Sequence, residues 1–178
     1  NITGQGIQLS IPAVSAMLAG SYVGARSYTS VHETEEGGWF RSDKNRDYKL
    51  YGEVNQQVTD LFTAVFKNIS GTLVELAKGL GQDVNAARGY MFSPTEINLQ
   101  GMNAEQINKA ILEHVSAMSD AAVDALFGHL LKGYQELGES LTTTAVRLMV
   151  DKEIVLEVLA QTRQSYTSTV EDTIAFSE

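Results

Sequence analysis

Val54, Val58, Leu61, Phe62, Val65, Phe66, Ile69, Leu73, Leu76 and Leu80 follow one another mostly at steps of three and four. That spacing draws one apolar face along an α-helix over about 54–80. A stripe of this length is core packing, and another layer has to cover it. Gly71 within it costs roughly 1 kcal/mol relative to alanine, and Gly79 and Gly81 bring it to a stop.

The covering layer is predicted to contain β-structure. Within 25–52, Tyr28, Thr29, Val31 and Thr34 favour strand on one side, as do Tyr48, Leu50 and Tyr51 on the other. The stretch reads as a long β-hairpin. Its connection, 35–45, exceeds the roughly two to five residues of an ordinary hairpin loop and holds Trp39 and Phe40 near its middle. A further strand is predicted over 92–99, where Glu96 and Asn98 alternate with Ile97 and Leu99. Pro94 cannot donate to a ladder, so this strand is expected to lie at an edge or to begin there. Residues 1–24 read as an N-terminal docking segment. Ile7, Leu9 and Ile11 form a short extended run there, and Pro12 opens a helical turn that Gly20 closes. A remnant of a membrane-active stretch is the competing reading of that segment.

A second long helix is predicted to start at Asn103, whose side chain and that of Gln106 fit a cap. Ile107, Ile111, Val115, Met118, Ala122, Ala125, Leu126 and Leu130 form its broad stripe. A narrower seam keeps a strict three-four alternation through Ala104, Ile107, Ile111, His114, Met118, Ala121 and Ala125. Such a seam is a candidate for coiled-coil contact between copies of the chain. Gly133 and Gly138 bracket a break. Leu137, Leu141, Ala145 and Leu148 then suggest a helix, against which the β-branched run of Thr142, Thr143 and Thr144 argues. Residues 152–162 are undecided between helix and strand. Thr169 with Asp172 reads as a cap, so a helix is expected to run on past the last residues and the chain to be a segment of a larger polypeptide. The expectation is an α+β fold: a long hairpin and an edge strand packed with two long amphipathic helices and further C-terminal helices. Its parts are 1–24, a core module over 25–150, and a C-terminal segment over 151–178.

With 43% hydrophobic and 20% charged residues the chain has the makeup of a folded protein. Its net charge of −9 repels a phosphate backbone, so no specific nucleic acid is expected as partner. The absence of cysteine excludes disulfides, thiolate chemistry and Cys-based metal sites. His32, His114 and His129 show no metal-ligand spacing, and neither a P-loop nor a G-x-S-x-G elbow occurs. Glu33, Glu35 and Glu36 cluster, and a glycosidase needs two acids held at a set separation, yet with Gly37 and Gly38 following they read as a solvated turn. No catalytic residue, metal or cofactor is expected. Trp39 and Phe40 have two readings: a small core folded back onto the sheet, or a contact point for another protein or a membrane interface.

One set of residues adds a family. Val31-His32-Glu33-Thr34, then Gly38-Trp39-Phe40, then Ser42-Asp43-Lys44 resemble a segment of the tape-measure proteins of long-tailed phages and prophages. The resemblance continues through 58–68, 97–106 and 134–149 and covers most of 15–178. Glu35 and Glu36 stand where basic residues are common in such proteins, and Arg41 stands for a glycine. The resemblance implies a structural, non-enzymatic virion component that sets tail length, fills the tail lumen as a trimer, and leaves before or with the DNA. This chain would belong to its C-terminal portion near the tail tip. Its partners would be copies of itself, tail-tip and tail-tube proteins and, during genome ejection, transiently the host envelope. An adaptor domain of another virion tail protein and a peptidoglycan-degrading domain are the alternatives.

Overall fold

A computed structural model describes residues 1–148. The expectations for 151–178, including the undecided 152–162 and the helix opening at Thr169, lie outside the described residues. In chain order the elements are β1 (Ile2–Ser10), α1 (Val14–Leu18), β2 (Gly24–Glu35), β3 (Lys44–Glu53), α2 (Gln56–Gly79), α3 (Val84–Arg88), β4 (Thr95–Asn98), α4 (Ala104–Leu131) and α5 (Leu141–Leu148). The fold is α+β. Its sheet is antiparallel, four strands in the order β3-β2-β1-β4.

The long apolar stripe is α2, started by the Asn55 side chain accepting from the Gln57 N–H at 3.0 Å. Phe62, Phe66, Leu73 and Leu76 on that stripe are fully or almost fully buried. Phe66 meets Phe92 edge-on with ring centroids 5.2 Å apart, and Phe92 meets Tyr90 in the same way at 5.2 Å. The sheet contributes Leu9, Ile97 and, at its margin, Ile7 and Ala25 to the same core. Register places these four on one face, because Leu9 lies opposite Ala25 and Ile7 opposite Ile97.

The N-terminal segment departs from expectation. It does not dock onto a finished sheet: β1 is an interior strand, bonded to β2 on one side and β4 on the other. The hairpin and the edge strand are therefore not neighbours, and β1 joins them. Gly6 shows why the join is close. A Cβ there would overlap the Ile97 carbonyl of β4, so the two backbones meet where a side chain would stand. β4 occupies an edge and begins just after Pro94, confined to Thr95–Asn98.

α4 opens with a capping box. The Asn103 side chain accepts from the Gln106 N–H at 2.9 Å while the Gln106 side chain accepts from the Asn103 N–H at 3.0 Å. α5 forms despite its threonine run, and the hydroxyls of Thr142 and Thr144 find partners. Thr144 Oγ1 donates to the Ser140 carbonyl at 3.1 Å, and Thr142 Oγ1 donates to Asp120 of α4 at 2.5 Å. Arg147 ties the turn before α5 together, donating to Glu139 at 2.9 Å and to the Tyr134 carbonyl at 2.5 Å. That contact holds the Glu139 carboxyl below the usual carboxylate range.

Candidate functional site: the tip of the β2–β3 ribbon

β2 and β3 pair without a break from Arg26 opposite Glu53 to Glu35 opposite Lys44. β1 accompanies β2 only as far as Asn1, whose amino group donates to the His32 carbonyl at 2.8 Å. Beyond that point the sheet is a two-stranded ribbon. Side chains reinforce it across the strands. Tyr48 donates to Glu33 at 2.6 Å, which raises the Tyr48 phenol above its usual range, and the Arg46 guanidinium sits 5.2 Å from the Tyr48 ring. On the opposite face His32 Nδ1 and Asp47 Oδ1 are 2.5 Å apart, and His32 Nε2 lies 3.4 Å from Thr34 Oγ1.

At the tip, the Gly37 N–H donates to Asp43 at 2.9 Å and the Arg41 N–H to the Gly38 carbonyl at 2.9 Å. A Cβ at Gly37 would collide with the Arg41 carbonyl, so this turn closes only around glycine. The turn pushes Trp39 and Phe40 outward. Each is 95% exposed, and the two rings touch mainly each other, stacked at 6.5 Å with 30° between planes. They do not fold back onto the sheet. Glu35 and Glu36 flank them in solvent, whereas Glu33 is held by Tyr48.

The helical seam is split between two environments. Ile111 is buried, Ile107 and Met118 pack at the margin of the core, and Ala104 is half-buried. Ala121 and Ala125 are exposed. A strict 3.5-residue repeat drifts by about 20° per heptad on a straight helix, so a seam that begins against the core ends in water. The face of α4 that the fold uses instead runs through Val115, Ala122, Val123, Phe127 and Leu131.

The histidines are dispersed. His32 lies on the ribbon and His129 is exposed in the last turn of α4. His114 shares a hydrogen bond with the Thr95 hydroxyl, and burial lowers its pKa from the usual histidine range. Among the described residues no three His, Cys, Asp or Glu side chains are arranged to hold a metal ion, and no helix is long and apolar enough to cross a membrane.

A polar network on the solvent face escaped the sequence reading. Arg26 donates to Gln8 at 2.5 Å, Gln8 to Glu96 at 3.2 Å, and Lys49 to Glu96 at 2.5 Å, so one chain of contacts laces all four strands. The Arg26 guanidinium covers the Tyr51 ring at 3.5 Å. Lys49 reaches over Tyr28, which is almost fully buried; burial and Glu96 raise the Tyr28 phenol while Lys49 opposes them. The network needs β1 and β4 in the sheet, and strand order is invisible to local pattern. Comparisons of the chain with protein-family models, with curated proteins and with solved structures found no match.

Proposed function

We propose that this chain is a structural, contact-making part of the tail of a long-tailed bacteriophage, a piece of a tape-measure protein from near the tail tip. The observation that carries the reading is the exposed pair Trp39 and Phe40 at the end of a ribbon that leaves the core behind. A single exposed apolar residue is ordinary, but adjacent aromatics held out by a glycine turn form a surface that gains by being covered. The residues around that pair are also those that resemble the tape-measure segment. In this reading the chain takes part in tail-length determination, tail assembly and genome ejection, and performs no catalysis. Tail-tip and tail-tube proteins are its partners, with copies of itself, three in the assembled tail as the resemblance implies, and a passing contact with the host envelope.

An antibody against the chain tests this directly. It should decorate one end of tailed particles from cells that carry the gene, and particles from a deletion strain should have abnormal tails. Particles that assemble normally without the protein and never bind the antibody would sink the reading. A monomer that captures one tail protein and leaves tail length untouched would favour the adaptor alternative.

A further inference from the structure

β3 is the last strand of the sheet, and among the described residues no strand pairs with its outer side. Which of its backbone groups point there follows from β2. The His32 N–H donates to the Asn1 carbonyl at 2.8 Å, and the His32 carbonyl accepts from the Asn1 amino group at 2.8 Å. Both backbone groups of His32 therefore point toward β1. The pair His32 and Asp47 is then a non-hydrogen-bonded pair of the β2–β3 ladder. Asp47 consequently aims its own N–H and C=O away from the sheet, and the alternation of the ladder does the same for Asn45, Lys49 and Tyr51. The opposite edge of the sheet is a strand of only 4 residues, whereas β3 has 10, with no proline and no break in register. An edge that long is a template for another strand.

We propose that β3 pairs antiparallel with β3 of a second copy, about a two-fold axis through Tyr48, so that two sheets become one. In that register Tyr48 faces Tyr48, Asp47 faces Lys49, Lys49 faces Asp47, and Asn45 faces Tyr51. The residues whose backbone points outward are the ones that form the hydrogen-bonded pairs. Two of those pairs also set opposite charges side by side on one sheet face. Sliding the strands by two residues in one direction brings Asp47 against Asp47, and in the other direction Lys49 against Lys49; like charges directly opposite repel. Sliding by one residue turns each side chain to the wrong face. Charge complementarity thus selects the occupant, a second copy, and the register together, as a self-complementary two-fold contact requires. Neither group is sealed off: the Asp47 side chain is 81% exposed and meets His32 through Oδ1, and the Lys49 side chain is 38% exposed. An ammonium has further donors beyond the one that reaches Glu96. The pairing does not rest on the tail reading and stands if that reading falls; it concerns the isolated chain in solution, whereas the count of three implied by the resemblance concerns the assembled tail.

Light scattering on the 178-residue chain should give twice the monomer mass. Hydrogen exchange should show the amides of Asp47 and Lys49 slowed in the dimer and fast in a monomeric variant. D47K or K49D alone places like charges against each other in the pairing and should weaken dimerisation at least tenfold. An equimolar mixture of the two variants should dimerise again, because each then offers the charge the other lacks. If either single variant fails to fold, D47K/K49D, which pairs with itself, carries the test with the exchange data. A wild-type monomer or trimer, a dimer whose Asp47 and Lys49 amides stay fast, or folded variants that do not recover on mixing would each overturn the proposal.

Discussion

Around Leu9 and Ile97 the sheet is four strands wide and backed by helices, whereas beyond Val31 and Tyr48 it narrows to two strands tipped by rings in water. The wide half is held by burial: Leu9, Val14, Met17, Phe62 and Phe66 are completely enclosed. The narrow half is held by its ladder and by side-chain hydrogen bonds across it, such as Tyr48 to Glu33 and His32 to Asp47. A two-stranded ribbon of that kind is marginal by itself in water. Its length makes sense as reach, because it carries aromatic surface away from the core that anchors it. Stability thus resides in one region and, in the proposed reading, contact in the other, and mutations should divide the same way.

The sharpest way to break that division is Phe66→Ala. Phe66 is enclosed by α2 and the Phe92 ring, so its loss should cost about 3–5 kcal/mol in denaturant unfolding. A loss below about 1 kcal/mol would mean that the wide half is not where stability resides. Gly6→Ala comes next. The added methyl meets the Ile97 carbonyl, and the strain should cost about 1–3 kcal/mol, with faster hydrogen exchange localised to the β1–β4 ladder. Exchange that quickens instead along β2 and β3 would show the two halves to be mechanically one.

Acid should act through the wide half as well. Burial keeps His114 neutral in the folded chain at a pH where the unfolded chain already binds a proton. The unfolded state then holds more protons, so stability falls as pH drops below about 6.5 and levels off once the folded His114 also titrates. His114→Gln should flatten that part of the pH profile; a profile unchanged by the substitution would remove His114 as its cause. The smallest expected change in stability belongs to Trp39→Ala and Phe40→Ala, within about 0.5 kcal/mol of wild type by thermal unfolding. If the tip is the contact site proposed above, the same two variants should lose about 2 kcal/mol or more from binding to the partner. A large drop in melting temperature would instead join the tip to the core.

Local pattern made the strongest elements legible. The stripe from Val58 to Leu76 is the buried face of α2, the residues Asn103 and Gln106 cap α4, and Tyr28 and Tyr51 face each other in the hairpin. β1 was half legible, since Ile7 and Leu9 alternate, but Gly4, Gln5 and Gly6 carry little strand propensity of their own. Pairing on both sides makes them a strand, and pairing is not local. α3 is not legible in the sequence because five residues give no period; its only signal is Asp83, whose side chain accepts from the Asn85 and Ala86 N–H groups. At the tip, Glu, Gly, Arg, Ser and Asp around Trp39 and Phe40 left the pair without sequence neighbours to pack on, and the exposure agrees with that composition. The seam on α4 was the least legible feature. Spacing can mark a stripe on a helix, but it cannot say which part of the stripe the rest of the chain covers.

Trp39 is the only tryptophan of the chain, and the fold places it in water. Its indole therefore emits from nearly the same surroundings before and after unfolding, and tryptophan emission is a poor thermometer for this protein. For the same reason it is a selective one for contact. A partner or surface that covers the tip changes the only indole signal the chain can give, with no label attached and no background from the core.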